Sequence, residues 1–190
     1  MSPRSGLDKV TVIQTAAALV NAEGVEALTL GRLARELGIQ TPSLYNHIDG
    51  LPGLQRELAL LNARQLGECL GSAAVGKSGP QALRAVAGAF RDYIKKNPGV
   101  YLSSLRSSLK RTPIDPEIGE AEARVVEIVL AVLAAFNLQR EDAIHAVRGL
   151  RSLVHGFTTL EIAGGFGIPL DVDESYRRLV ELLIKGLGQS

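Results

Sequence analysis

The sequence predicts an all-α protein. Apolar residues recur with helical spacing in nearly every segment, no stretch alternates convincingly with period two, and about nine such helical segments can be counted. Clusters of Gly, Pro and small residues separate them at points suited to helix ends. The 190 residues are 46% hydrophobic and 22% charged, with a mean hydropathy of +0.13. That is the profile of a chain able to bury a core, and it excludes disorder.

The first helix carries Val10, Ile13, Ala17 and Val20 on one face and stops near Gly24. Leu30, Leu33, Ala34 and Leu37 repeat the pattern before Gly38, with Thr29 as the expected N-cap. Thr41-Pro42 opens a short helix to about Ile48, with Thr41 as cap and proline at the first helical position. Leu54, Leu58 and Leu61 mark a longer helix fading at Gly71, and residues 74–80 read as a loop of small residues. Leu83, Val86, Ala87, Phe90 and Ile94 share a stripe on a helix over 81–96, stopped by Asn97-Pro98-Gly99. A shorter helix over 100–109 precedes Thr112-Pro113. The helix over 117–136 is apolar almost all round in its second half and is expected in a core. Helices over 141–163 and 173–187 flank Gly164-Gly165-Phe166-Gly167-Ile168-Pro169.

Charge and cysteine content narrow the function. The 21 Lys+Arg and 20 Asp+Glu leave a formal charge of +1, which excludes a polybasic arm or an acidic tail as the whole story. The single cysteine, Cys69, excludes an internal disulfide and a multi-cysteine zinc site, and indicates a reducing compartment. With 4% aromatics and no Trp there is no interfacial aromatic belt. The N-terminus lacks the apolar core of a secretory signal, and the longest strongly apolar run, Ile128–Phe136, is far short of the roughly 20 residues that span a bilayer. A soluble, cytoplasmic protein with no membrane partner is expected.

The informative segment is Thr29–Ile48: a short helix, a turn centred on Gly38, and a second short helix. This is helix-turn-helix spacing, in which the second helix enters the major groove of DNA. At about 100° per residue, Leu44 and Ile48 share the inward face. Pro42, Ser43 and Asn46 lie opposite, flanked by Tyr45 and His47. Asn can pair bidentately with adenine, Ser donates or accepts, and Pro offers an apolar surface to a thymine methyl. Hydroxyl and imidazole groups suit phosphate oxygens. The same residues could equally be the solvated side of a surface helix. Six basic and six acidic residues in 1–64 give zero net charge, so attraction to phosphate must be local.

The run from Ile13 through Ala16-Ala17, Gly24, Leu28-Thr29, Leu33-Ala34, Leu37-Gly38-Ile39 and Thr41-Pro42-Ser43-Leu44-Tyr45-Asn46-His47-Ile48 closely resembles the DNA-binding module of TetR-family bacterial repressors, over roughly residues 8 to 62. The resemblance implies base contacts from Thr41, Pro42, Ser43 and Asn46, and phosphate contacts from Thr29, Tyr45 and His47. The family usually carries a Lys shortly after the recognition helix; Leu51 stands here. Ser78–Arg84, Asn97–Tyr101, His155–Glu161 and Asp171–Tyr176 are similar to WHG-type regulatory domains of the same family, without the eponymous Trp.

The resemblance implies an N-terminal three-helix helix-turn-helix module over 1–50, a connecting helix and loop over 51–76, and a ligand-binding and dimerisation domain over 77–190. A homodimer on double-stranded operator DNA is implied, with the last two long helices paired between copies. Two stripes fit that pairing: Ala143, Ala146, Val147, Leu150, Val154, Phe157 and Leu160, then Leu179, Leu182, Leu183 and Leu187. Small Gly149 and Gly156 would allow close approach, yet either stripe could be intramolecular core. An unknown small-molecule effector would meet Phe90, Tyr93, Tyr101, Leu105 and Leu133, with Arg148, Arg151 and His155 as polar contacts. Most of these are also suited to a core.

Lys77–Arg111 holds eight basic residues and one acid, a local +7, followed by five acids and Arg124 in Asp115–Glu127. Either the basic run faces DNA or an anionic ligand, or the two runs compensate each other. Enzyme signatures fail: Ser107-Ser108-Leu109-Lys110 fits S-x-x-K, but its companion motifs are missing or misordered. Gly164–Gly167 lacks the preceding strand of a nucleotide loop, and three His and one Cys are not at metal-ligand spacing. No cofactor is expected. The expected function is a ligand-responsive transcriptional regulator, most naturally a repressor released from its operator by a small molecule. The alternative is a small-molecule-binding or interaction protein with a vestigial helix-turn-helix.

Overall fold

In the computed structural model residues 7–108 and 115–188 are described, the side chains of 106–108 excepted. The Ser107–Lys110 motif and the basic residues Arg106, Lys110 and Arg111 lie outside that description. Among the described residues there are nine α-helices and no strands: α1 (Lys9–Glu23), α2 (Leu30–Glu36), α3 (Thr41–Leu44), α4 (Gly50–Ala74), α5 (Gly79–Lys96), α6 (Pro98–Ser108), α7 (Pro116–Leu133), α8 (Arg140–Ile162) and α9 (Val172–Leu187), with 3-10 turns at Val25–Ala27 and Ala134–Phe136. No helix among the described residues is long and apolar enough to cross a membrane.

The chain forms two compact units that do not follow the order 1–50, 51–76 and 77–190. One comprises residues up to Ala63 with Asn97–Ile118; the other comprises Arg64–Lys96 with Gly119 onward. Helix α4 therefore begins in one and ends in the other, and α6 belongs with the first.

In the first unit Asp8 caps α1, its carboxylate accepting the Thr11 N–H at 2.7 Å; this bond holds the Asp8 carboxyl below its usual range. The helix ends where the Gly24 N–H returns to the Val20 carbonyl. Its buried face is Val12, Ala16, Leu19 and Val20, one step round from the expected stripe: Val10 is 58% exposed, while Ile13 and Ala17 sit at the edge of the core. The spacing i, i+4, i+7, i+8 centres the apolar arc on Ala16. Leu33, Ala34, Leu44, Ile48, Leu54 and Leu58 join the same cluster.

Helix α6 docks on α1. Pro98 occupies its first position, where a missing N–H costs nothing, so Asn97-Pro98-Gly99 starts α6 as well as stopping α5. The Asn21 side chain accepts the Val100 N–H at 3.0 Å, which satisfies a first-turn donor. Gly99 lies so close to α1 that a Cβ there would overlap the Val20 carbonyl group.

In the second unit α5 buries Leu83, Val86, Ala87, Phe90 and Ile94, the expected stripe, against α8 and α9. The buried face of α8 is Ala146, Leu150, Val154 and Thr158, and that of α9 is Tyr176, Val180, Ile184 and Leu187. The Tyr176 hydroxyl donates to the Ala87 carbonyl at 2.6 Å. On α9 the expected stripe is therefore mostly another face: Leu182 is 65% exposed, and Leu179 and Leu183 are half-buried. Helix α7 also departs from expectation. Val129, Val132 and Leu133 are buried, but Ala131 and, in the 3-10 turn that follows, Ala134 and Ala135 are exposed, so this apolar stretch is not enclosed on all sides by the described residues.

Candidate functional site

Helix α2 starts at Thr29, whose Oγ1 accepts the Arg32 N–H at 3.1 Å. That bond uses a lone pair and leaves the hydroxyl proton available to a phosphate oxygen. The chain turns at Gly38, with φ of 67°, a left-handed conformation that glycine adopts without a Cβ penalty.

Helix α3 is shorter than the sequence predicts. After Leu44 the N–H groups of Tyr45, Asn46 and His47 donate to the carbonyls of Pro42, Ser43 and Leu44, an i to i−3 pattern that tightens the remaining turn. Thr41 is the first helical residue and not the cap; Gln40 occupies the cap position and makes no side-chain cap bond.

The two faces are as expected. Leu44 and Ile48 are buried, whereas Pro42 and Asn46 are exposed and Tyr45 is 61% exposed. Thr41, Ser43 and His47 are half-buried beside them. This places two exposed and two half-buried groups of base-reading chemistry on one short element, over a hydrophobic anchor. Leu51, standing where a Lys was expected, packs against the core of this unit and supplies no charge.

Three of the six cations in residues 1–64 are held in ion pairs. Arg32 bonds Glu23 at 2.7 Å and Glu36 at 2.6 Å, which raises its pKa, Glu23 contributing most. Lys9 meets Glu57 at 2.8 Å. Arg56 bonds Asp115 at 2.6 Å, Glu117 at 2.8 Å and Glu57 at 2.9 Å.

Other pairs bear on the two charge runs. Asp115 and Glu117 bond Arg56. Three basic residues of α5 meet acids on α8 and α9: Arg84 pairs with Glu181 at 2.5 Å, Lys95 with Glu161 at 2.6 Å, and Arg91 with both Glu161 and Asp173 at 2.7 Å. The Arg91 guanidinium also lies 4.7 Å from the Tyr176 ring centre and 5.7 Å from that of Phe157, within cation–π range.

The residues expected around an effector do not gather at one opening. Tyr101 and Leu105 belong to the first unit, the other six to the second. Phe90, Tyr93, Tyr101 and Leu133 are buried, while Arg148 and Arg151 are exposed. His155 is half-buried, and burial, helped by Arg151, lowers its pKa. A cleft of about 360 Å³ opens elsewhere in the second unit, between the end of α4, the connection to α5 and the outer side of α7, and none of the eight lines it. The sequence offered only the α7 mismatch as a sign of it. The Cys69 thiol donates to the Ala89 carbonyl at 3.6 Å; burial raises its pKa, the opposite of what a reactive thiol needs.

Comparison with known proteins places these features. The profile of the family described as "Tetracyclin repressor-like, C-terminal domain" matches residues 83–183. An uncharacterized HTH-type transcriptional regulator of Bacillus subtilis, YobS, is 34% identical over 189 residues, spanning 98% of this chain and 96% of that protein. Another from Mycobacterium tuberculosis, Rv0681, is 32% identical over 184 residues, spanning 95% and 82%. Among solved structures, a TetR variant from Acinetobacter baumannii in complex with minocycline superposes with a TM-score of 0.70 at 25% identity, covering 96% of this chain and 97% of that one.

Proposed function

The chain belongs to the TetR family of HTH-type transcriptional regulators, and from that premise we propose that it is a cytoplasmic, homodimeric repressor that leaves its operator when a small molecule binds. The carrying observation is the exposed Pro42 and Asn46 on a short element anchored by buried Leu44 and Ile48. In this reading Thr41, Pro42, Ser43 and Asn46 meet base edges. Thr29, Tyr45 and His47 meet phosphates and fix the register. With the paired cations spent internally, specificity rests on this face more than on bulk charge.

Binding to DNA from upstream of its own gene, followed by fluorescence anisotropy, tests the division of labour. Asn46→Ala is expected to cost about 1–3 kcal/mol on the specific site and to relax preference at one base pair, whereas His47→Ala weakens specific and random DNA alike. Equal losses for both variants on both DNAs refute the assignment. No specific binding at low salt would favour a vestigial helix-turn-helix.

Dimerisation is supported by the apolar surface that one chain leaves open. Leu160 is 52% and Leu182 65% exposed, and the space beside Gly149 and Gly156 is empty. A second copy packed there would present two α3 elements to half-sites, which lie about 34–36 Å apart in related motifs. Light scattering should give twice the 20.2 kDa chain mass, and Leu182→Arg should shift it toward monomer; a monomeric parent at micromolar concentration would sink this assembly. The minocycline-bound relative supports a small-molecule effector. Release from DNA then requires that the effector bind the DNA-incompetent state better.

A further inference from the structure

We propose that the cleft between α4, α5 and α7 binds a small organic anion with a narrow apolar body, and that the Lys77 ammonium anchors its head. The inference deepens the ligand-responsive reading and rests on it for any effect on DNA, but not for binding itself.

The walls set the shape. Gly71 and Ala74 on α4 line one side of the opening, and Ile128 and Ala131 on α7 with Ala135 in the 3-10 turn after it line the other. The two sides come close where glycine carries no side chain: a Cβ on Gly71 would lie 3.6 Å from the Ile128 Cδ1 atom, and one on Gly79 would lie 3.7 Å from the Ala135 Cβ, both at contact distance. Small residues on both sides leave a slot. Its volume of about 360 Å³ is near the lower end for small-molecule sites. An unbranched chain fits such a slot better than a fused ring system.

The lining sets the charge. Among the described residues that line the cleft, Lys77 is the one charged residue, Ser78 beside it is polar, and none is an acid. Lys77 is exposed, and its ammonium donates to the Ala73 carbonyl at 3.1 Å. That bond occupies one of its three protons and neutralises none of its charge. A carboxylate or similar anion meets an available donor there, while its apolar body covers the side of α7 that this chain leaves open. A cation of the same shape would be repelled, and a neutral alcohol would lose the charge-assisted bond.

Calorimetric titration of the full chain with decanoate, 1-decanol and decylamine below their aggregation limits separates the possibilities. Decanoate should bind best and decylamine worst. Lys77→Gln should weaken decanoate about tenfold, the effect of losing a hydrogen bond to a charged group, and leave 1-decanol unchanged. Ala131→Phe, at an exposed position, should abolish binding of decanoate and 1-decanol with unaltered circular dichroism. Absence of decanoate binding, equal binding of all three, or undiminished binding to Ala131→Phe overturns the site. So does a shift of Ala131→Phe from dimer to monomer with no decanoate bound to the parent, which would mean that a second copy covers the cleft. If decanoate binds as described and operator DNA stays bound, the site stands and the ligand-responsive reading falls. If decanoate releases DNA equally from parent, Lys77→Gln and Ala131→Phe, that reading stands and the cleft assignment falls.

Discussion

Gly99→Ala is expected to destabilise the first unit by about 3 kcal/mol, within the range for overpacking plus an orphaned backbone donor. In an ordinary helix the same change is favourable, because glycine loses more backbone freedom on folding than alanine. At Gly99 the added Cβ would overlap the Val20 carbonyl carbon and oxygen and lie 2.7 Å from the Asn21 nitrogen. These are backbone atoms inside α1, so no rotamer change relieves the clash. The start of α6 must move away, which breaks the bond from the Val100 N–H to Asn21 and exposes Val100, now 1% accessible. Gly88→Ala provides the contrast. Gly88 is also helical, nothing lies within 4 Å of its Cβ position, and alanine there should stabilise by about 0.4–1 kcal/mol. Urea denaturation measures both. Hydrogen exchange should place the Gly99→Ala loss in α1 and α6 and leave α5 protected. A Gly99→Ala protein as stable as the parent, with unchanged protection of α1, would show that α6 does not approach α1 this closely.

That close approach shows where the sequence stops being legible. Helical periods located nine helices because each element carries its own apolar face, and the turn at Gly38 with Leu44 and Ile48 was readable because a few neighbouring residues determine it. Contacts between distant segments leave no period. Asn97-Pro98-Gly99 could be read as a helix stop, but nothing local says that Gly99 is small because Val20 lies beside it, or that Asn21 caps a helix that begins 77 residues later. The grouping of α6 with the first unit follows from these contacts and was invisible for the same reason. Charge runs show the same limit. Proximity along the chain suggests that 77–111 and 115–127 compensate each other, but it does not foretell that Arg91 and Arg84 meet acids on α8 and α9. The face of α3 was read correctly in direction but not in length, since the i to i−3 bonds after Leu44 depend on how the chain turns into α4. The effector candidates were chosen for size and polarity, and size is what a core selects too, so buried Phe90, Tyr93 and Leu133 could not be told apart from cavity walls.

Arg91→Met is expected to cost the second unit about 3 kcal/mol, the lower end for breaking a buried ion pair. Arg91 is 8% exposed; its Nε and Nη2 donate to the two oxygens of Glu161 at 2.8 and 2.7 Å, the bidentate geometry that makes such pairs strong. Met replaces much of the stem packing against Phe157 and Tyr176 but leaves Glu161, whose side chain is 15% accessible, with Lys95 alone. The penalty is therefore chiefly that of a stranded carboxylate. Adding Glu161→Gln should recover about 1–2 kcal/mol, because removing both partners is cheaper than removing one. The pH dependence gives an independent reading. Arg91, with Lys95 adding and burial opposing, holds the Glu161 carboxyl below its usual range. A carboxylate with a depressed folded-state pKa contributes stability above its unfolded value of about 4.3 and loses it as pH falls through the folded value. The gap between parent and Arg91→Met should accordingly be full at pH 6 and narrow as pH falls below about 4.3. A gap that stays constant from pH 6 to pH 3 would mean that Arg91 acts by packing on the two rings, and the Glu161→Gln rescue would then be absent as well.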